Sequence, residues 1–135
     1  MSINKATSIC KECCEEFNAH NSSVGLYCSN KCQSDHQYRQ YICRWLGGLE
    51  AGTVGKNLQL SAHIKRYLRE QRGSACSVCG WDDRHPLDEA ILTEFDHIDG
   101  DASNNKIGNL RVLCPNCHSK TSTFRARNSN SKRVR

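Results

Sequence analysis

Apolar residues recur at three-and-four spacing in two stretches of the chain, which predicts two amphipathic helices. The first covers residues 33–46 and ends at Gly47-Gly48. The second covers residues 62–72, follows Ser61 as its N-cap and also ends at a glycine. Residues 47–60 hold four glycines and no clear period, so they predict a loop or linker between the helices.

Further along, the pattern changes to short apolar runs separated by turn residues. Residues 91–98 predict a strand, Asp99-Gly100 begins a long loop, and residues 110–113 predict the returning strand. Pro115 suits the first turn of a helix that we expect to continue to about Arg127. The sequence therefore predicts a small α+β fold built on a ββα unit.

Cysteines supply the crosslinks that such a small core needs. The chain has 135 residues, of which ten are cysteines. Cys76 and Cys79 form one Cys-x-x-Cys knuckle and Cys114 and Cys117 form a second. Four soft thiolates in tetrahedral geometry are what Zn²⁺ prefers, so these residues predict a structural zinc site. We prefer metal to disulfides because the first residues show no hydrophobic signal segment.

A second set of knuckles lies near the N-terminus. Cys10 and Cys13 form the first knuckle, and Cys28 and Cys32 form the second. Four thiolates again suit one zinc ion. The arrangement resembles a treble-clef or ribbon-like finger, in which the second knuckle opens a helix. This helix is the one predicted for residues 33–46.

Neighbouring residues leave alternatives open at the N-terminal site. Cys14 with Cys10 also makes a plausible first pair, although x-x spacing favours Cys13. His36 lies four residues beyond the last cysteine, and it is either a replacement ligand or an ordinary exposed histidine. Cys43 is interpreted as a small buried hydrophobe on the helix.

Charge is distributed unevenly along a chain of net charge +5. Residues 76–124 carry four basic and eight acidic side chains, whereas residues 125–135 carry five basic and none acidic. Residues 33–75 are also net basic, with seven basic and three acidic side chains. Basic flanks around an acidic segment suit a nucleic-acid partner, although an exposed helix face and a solubilising tail would look similar. The side chains that this pattern nominates for phosphate contacts are Lys65, Arg66, Arg69, Arg72, Arg125, Arg127, Lys132, Arg133 and Arg135.

Several polar residues occupy positions where packing does not require them. They occur in the runs Asp96-His97-Ile98-Asp99-Gly100-Asp101, Asn104-Asn105, Asn109-Leu110 and Leu113-Cys114-Pro115-Asn116-Cys117-His118-Ser119. Together these motifs closely resemble the HNH nucleases, in particular the zinc-stabilised branch that includes free-standing phage enzymes. The resemblance is strongest over residues 76–124, just over a third of the chain. It implies a ββα-metal finger with a structural zinc ion bound by four cysteines.

The resemblance also implies catalytic roles. His97 corresponds to the general base, Asp96 and His118 to the ligands of a catalytic divalent metal, and Asn109 to the middle asparagine that holds the base histidine or its loop. The residue chemistry agrees, because phosphodiester hydrolysis needs an activated water and a cation near the leaving oxygen. We expect Mg²⁺ or Mn²⁺, with Ni²⁺, Co²⁺ or Zn²⁺ as alternatives because imidazole binds Mg²⁺ poorly. The Asn104-Asn105 pair is interpreted mainly as turn-forming.

These observations predict four segments along the chain. Residues 1–32 form an N-terminal four-cysteine zinc finger, of which residues 1–9 are disordered. Residues 33–75 form a helical basic linker region, residues 76–127 an HNH nuclease domain, and residues 128–135 a basic disordered tail.

The predicted function is a metal-dependent endonuclease that hydrolyses or nicks DNA, most simply double-stranded DNA. It has two structural zinc ions and one catalytic divalent metal. The alternative is a non-catalytic zinc-finger protein that binds nucleic acid. Since no apolar run approaches the ~20 residues of a membrane span, we expect a soluble cytoplasmic protein, in the host cytoplasm if it is phage-encoded. The sequence does not determine the oligomeric state.

Overall fold

The computed structural model describes residues 6–21 and 25–133. The chain divides into two compact units, Met1–Arg44 and Trp45–Arg135. The predicted small α+β fold class is confirmed, with three α-helices and three two-stranded antiparallel sheets among the described residues. In the same residues, none of the helices is long and apolar enough to cross a membrane.

The N-terminal unit begins with an antiparallel hairpin of β1 (Thr7–Ile9) and β2 (Glu16–Asn18). Residues 7–9 therefore form a strand, although the polar composition of residues 1–9 predicted disorder; residues 1–5 lie outside the described residues. The turn between the strands carries the first cysteine knuckle.

Helix α1 (Asn30–Leu46) begins three residues earlier than the apolar period indicated. Ser29 caps it, because the backbone N–H of Cys32 donates to Ser29 Oγ at 3.1 Å. Tyr38, Ile42 and Trp45 lie on one helical stripe and are buried. The prediction that Cys43 is buried is wrong, since this residue lies off that stripe and is exposed.

The segment predicted as a loop or linker instead contains a hairpin of β3 (Thr53–Val54) and β4 (Gln59–Leu60). Strands of two residues are too short to produce a readable period. The hairpin packs closely on its own unit at Gly52, where a Cβ would lie 2.5 Å from Ile64 Cδ1. Gly52 also has φ +78, which favours glycine.

Helix α2 (Ala62–Arg72) confirms the second predicted helix. Ser61 Oγ accepts from the backbone N–H of His63 at 3.2 Å, and Gly73 at φ 74 ends the helix. Ile64 and Leu68 have no exposed surface and anchor its apolar face in the core.

The ββα unit consists of β5 (Glu94–His97), β6 (Leu110–Leu113) and α3 (Pro115–Ser119). The strand observed here is shorter than the one predicted for residues 91–98. Glu94 already pairs with Leu113, the last residue of β6, so residues 91–93 have no partner in that strand. Register places Asp96 opposite Arg111.

The prediction that α3 reaches Arg127 is wrong, since the helix ends at Ser119. Hydroxyl side chains here bind carbonyls of the helix, with Ser119 Oγ donating to Asn116 O at 2.8 Å and Thr121 Oγ1 to His118 O at 2.9 Å. Such local bonds compete with helix propagation. A separate 3₁₀ turn follows at Arg125–Arg127.

Residues 128–133, the described part of the segment predicted as a disordered tail, also make contacts. Asn128 Nδ2 donates to Gly100 O at 2.7 Å, and Asn130 Nδ2 donates to Asp99 O at 3.0 Å. The segment therefore packs on the loop that follows β5.

Candidate functional site

Two groups of four cysteines have the geometry of zinc sites. The sulfur atoms of Cys10, Cys13, Cys28 and Cys32 all lie within 4.8 Å of one another, as do those of Cys76, Cys79, Cys114 and Cys117. Individual Sγ···Sγ distances are 3.7 Å for Cys13 and Cys28, 3.5 Å for Cys28 and Cys32, and 3.7 Å for Cys79 and Cys114. Tetrahedral zinc with Zn–S bonds of ~2.3 Å sets sulfurs about 3.8 Å apart, so both groups fit zinc.

Of the two thiols considered for the first knuckle, the structure places Cys13 in the cluster and Cys14 outside it. Cys14 is exposed and has φ 61, with its backbone N–H donating to Cys10 O at 3.0 Å. His36 is also outside the cluster; its Nδ1 lies 3.4 Å from Glu12 Oε2 and its ring packs on Tyr27.

Backbone N–H groups favour a thiolate in each cluster. Burial raises the pKa of Cys76, but backbone N–H groups of Cys114, Cys79 and Val78 outweigh it and lower the pKa to about 6. Burial likewise raises the pKa of Cys10, and backbone hydrogen bonds from Cys13 and Cys28 contribute to its net lowering, to about 7. Thiolates are the form that binds zinc.

The second cluster sets the position of His118. Cys114 caps α3, its Sγ accepting from the backbone N–H of Cys117 at 3.3 Å, and Pro115 occupies the first turn. Cys76, Leu113 and Cys114 form a small buried core on which Trp81 packs. Since His118 directly follows Cys117, the knuckle holds its backbone beside β5.

His118 and Asp96 each have one side-chain atom held and one directed at the other residue. His118 Nδ1 lies 2.5 Å from Glu94 Oε2, and Arg111 Nε donates to Asp96 Oδ2 at 2.7 Å. The remaining atoms, His118 Nε2 and Asp96 Oδ1, lie 3.5 Å apart. Two donors at this separation can share one divalent cation at ~2.1 Å from each, so the residues fit a metal site.

Strand geometry explains the carboxylate and guanidinium partners. Glu94 and Asp96 are two residues apart on β5 and point to the same face. Arg111 faces Asp96 across the hairpin. Asp96 is only 6% exposed, so Arg111 compensates a buried charge. The alternation of side chains along a strand could have identified Glu94 from the sequence as a neighbour of Asp96. Arg111 could be identified only from the register of the two strands.

His97 points away from Asp96 along the strand, and its ring is held by an unexpected partner. His97 Nε2 lies 2.7 Å from Asn105 Oδ1, and Asn105 Nδ2 donates to Ala51 O at 2.8 Å. The backbone O of Asn105 accepts from Trp45 Nε1 at 2.8 Å. Asn105 is buried and was interpreted from sequence mainly as a turn former, so its contact with His97 was missed.

Asn109 holds the loop between the strands. Its Nδ2 donates to Asp99 Oδ1 at 2.9 Å and to Asn104 O at 2.8 Å, and its Oδ1 accepts from the backbone N–H of Asp99 at 3.1 Å. Asn104 Nδ2 donates to Asp99 Oδ2 at 2.7 Å, and this bond is the main cause of the lowered pKa of Asp99. The contacts of the Asn109 side chain are therefore to the loop.

The arginines of α2 have partners inside their unit. Arg69 donates to Thr93 Oγ1 and Thr93 O, both at 2.7 Å, and its guanidinium lies 4.4 Å from the centre of the Phe95 ring. Burial and nearby Arg84 lower the pKa of Arg69. Arg72 donates to Ile107 O at 3.0 Å and to Leu110 O.

Other predicted phosphate contacts are placed as follows. Lys65 is exposed, and Arg66 pairs with Glu70 at 2.8 Å. Arg125, Arg127, Lys132 and Arg133 are exposed, and Arg135 lies outside the described residues.

An open cavity of about 710 Å³ brings the candidate residues together. Asp96, His97 and His118 are among its lining residues, and so are Arg125 and Arg133. Donor atoms for a metal, a histidine that can accept a proton and two cationic side chains therefore share one solvent-accessible space. That set matches the requirements of phosphodiester hydrolysis.

Comparison with known proteins agrees with this geometry. Residues 76–124 match the family model described as HNH endonuclease. The chain is 43% identical over 61 residues to H-N-H endonuclease F-TflIV of Escherichia phage T5, an alignment that covers 45% of this chain and 25% of the relative. The chain thus spans about a quarter of the length of that relative. No solved structure gives a significant match.

Proposed function

We propose, from the match of residues 76–124 to the HNH endonuclease family model, that this protein is a metal-dependent enzyme that hydrolyses DNA phosphodiester bonds. The observation that carries the proposal is the pair of facing donor atoms, Asp96 Oδ1 and His118 Nε2, 3.5 Å apart in residues that line the same cavity as His97. The cavity is open to solvent, so a cation could reach both atoms.

Asp96 and His118 would hold the catalytic divalent metal. When bound, such an ion would neutralise charge on the phosphate and the leaving oxygen. The mixed oxygen and nitrogen donors suit Mn²⁺, Ni²⁺, Co²⁺ or Zn²⁺ as well as Mg²⁺. Glu94 fixes the ring of His118 through Nδ1, and Arg111 fixes the carboxylate of Asp96 through Oδ2. These two partners orient the ligand atoms and also prevent them from rotating away.

His97 is the proposed general base. Asn105 Nδ2 donates to Ala51 O, which leaves Asn105 Oδ1 as the acceptor for His97 Nε2–H. A neutral ring protonated at Nε2 has its lone pair at Nδ1. We therefore assign Nδ1 of His97 as the atom that takes the proton from the attacking water, and Asn105 as the residue that sets this tautomer.

The substrate follows from the same family assignment. We propose DNA, with double-stranded DNA as the simplest form. A non-catalytic zinc protein that binds nucleic acid is the alternative function. The ordered contacts of His97 and His118 argue against it, because a purely structural finger needs neither.

Plasmid relaxation tests the proposal. With added Mn²⁺ or Mg²⁺ we expect the wild-type protein to convert supercoiled DNA to nicked or linear DNA. His97→Ala should slow this by roughly 10²- to 10⁴-fold, the usual contribution of a general base, while keeping two bound zinc ions. His20→Ala, an exposed histidine of the N-terminal unit, is the matched control and should cleave normally. Equal rates for the two variants would exclude His97 from the chemistry.

A further inference from the structure

Residues 123–133, named here the C-terminal arm, leave α3 and return to the loop that follows β5. Two amide side chains secure the arm: Asn128 Nδ2 donates to Gly100 O at 2.7 Å and Asn130 Nδ2 to Asp99 O at 3.0 Å. The fit at Gly100 is close, since a Cβ there would overlap the side-chain amide of Asn128. The arm is therefore held against the loop that connects the two strands of the ββα unit.

The start of the arm also packs on a proposed metal ligand. The rings of His118 and Phe124 meet edge to face, with centroids 5.2 Å apart at 75°. The guanidinium of Arg125 lies 4.9 Å from the centre of the same Phe124 ring. Phe124 thus contacts both His118 and Arg125, and it links the arm to one of the proposed metal ligands.

The cavity is lined by side chains of both charges. Glu94 and Asp96 are among the lining residues, and their carboxylates repel a phosphate diester. Arg125 and Arg133 of the arm are lining residues of the same cavity. The arm contains four basic and no acidic residues, so it is net positive. An anion bound in the cavity therefore has these two guanidinium groups as its candidate donors.

We propose that the C-terminal arm is the phosphate-binding wall of the active site, in which Arg125 and Arg133 hold the non-bridging oxygens of the DNA strand being cut. This inference rests on the proposed function and extends it. It assigns phosphate binding to the two arginines of the arm that line the cavity, and not to every basic residue of the segment. Guanidinium groups suit the role, since they donate paired hydrogen bonds to phosphate oxygens.

A charge-matched pair of variants tests the wall. Arg125 and Arg127 belong to the same 3₁₀ turn and are both exposed, but of the two only Arg125 lines the cavity. At saturating DNA, we expect Arg125→Gln to lower the single-turnover cleavage rate by roughly 10²- to 10³-fold, as for the loss of one positioned donor at an oxyanion. Arg127→Gln should lower it far less than Arg125→Gln does, because a phosphate contact outside the cavity contributes to DNA affinity, which does not limit the rate at saturating DNA. Equal losses in the two variants would overturn the proposal.

Undocking the arm gives a second test without any change of charge. We expect the double variant Asn128→Ala, Asn130→Ala to lose as much rate as Arg125→Gln. Adding Arg125→Gln to that variant should then have little further effect, because an undocked arginine no longer contributes. Faster cleavage after undocking would instead show that the arm covers the site, and would contradict the proposed role.

A binding measurement separates failure of this inference from failure of the proposed function. The probe is a dinucleotide with one phosphodiester, titrated by calorimetry into His97→Ala protein in the presence of Mn²⁺. Adding Arg125→Gln should weaken its binding at least fivefold more than adding Arg127→Gln does. If the wild-type protein cuts no DNA but this difference persists, the proposed function fails and the phosphate wall stands. If cleavage is normal and the difference is absent, only the wall fails.

Discussion

The two cysteine clusters use the same chemistry and differ in what lies next to them. Each has four sulfurs within 4.8 Å, and each second knuckle lies at the start of a helix. In the first cluster, the residue that follows the last cysteine is Gln33, and the nearby carboxylate of Glu12 is paired with Arg39 and His36. In the second cluster, the residue that follows the last cysteine is His118, whose Nε2 faces Asp96 Oδ1.

This difference shows how a cysteine cluster can also position other side chains that could bind a metal. Glu12 and Asp96 each face an arginine and a histidine, with the imidazole nitrogen 3.4 Å and 3.5 Å away, but Asp96 and His118 also line the cavity. Glu94 and Arg111 hold one atom each of His118 and Asp96, and the other two atoms face each other at 3.5 Å. The zinc-type cluster then contributes rigidity, because it holds the backbone from which His118 projects.

Removing one thiol from each cluster is the strongest test of the comparison. We expect Cys117→Ser to abolish zinc binding at the second cluster, unfold the ββα unit and eliminate cleavage, since structural zinc contributes ~10–16 kcal/mol of apparent binding free energy in small fingers. Cys32→Ser should lower the zinc content from two ions to one and leave the Asp96 and His118 geometry intact. Zinc content measured with circular dichroism and plasmid relaxation checks both.

The two outcomes must differ for the comparison to hold. Retained cleavage in Cys117→Ser would mean that the second cluster does not support the site. Complete loss of cleavage in Cys32→Ser, with the ββα unit still folded, would mean that the N-terminal unit takes part in the reaction itself.

A smaller effect is expected for the partner of the base histidine. Asn105→Ala should lower the cleavage rate by roughly 10- to 100-fold, a usual cost of losing an orienting partner at a catalytic site. Asn105→Asp keeps an oxygen acceptor for His97 Nε2 and should recover part of the rate. Asn104→Ala is the control within the same loop, because Asn104 contacts Asp99 and not the histidine.

Ring ¹⁵N chemical shifts separate positioning from simple loop damage. The wild-type protein and Asn104→Ala should show His97 protonated at Nε2, whereas Asn105→Ala should show a mixture of tautomers. A reduced rate with an unchanged tautomer would assign Asn105 a structural role only.

Local sequence patterns specified the helices and the cysteine groups, but not the contacts between distant elements. Helix α2 and strand β6 lie where periodicity placed them, since caps and apolar spacing are short-range signals. The hairpin within residues 47–60 and the contact of Asn105 with His97 depend on tertiary packing. Arg111 could not be paired with Asp96 before the register was known. The arm contacts were hidden because a basic, polar terminus resembles a disordered one.

The smallest predicted effects are those of substitutions at Cys14, which the sequence left open as an alternative to Cys13 in the first cluster. Cys13→Ser should lose the N-terminal zinc, because its sulfur belongs to the group within 4.8 Å. Cys14→Ser should keep two zinc ions and an unchanged thermal transition, since its side chain is exposed. Cys14→Gly should stabilise the turn slightly, by up to about 1 kcal/mol, because φ 61 favours glycine and offsets its extra chain entropy. Zinc loss in Cys14→Ser would exchange the roles of the two cysteines, but it would leave the second cluster and its histidine unaffected. The first cluster can therefore be reassigned without any change to the proposed active site.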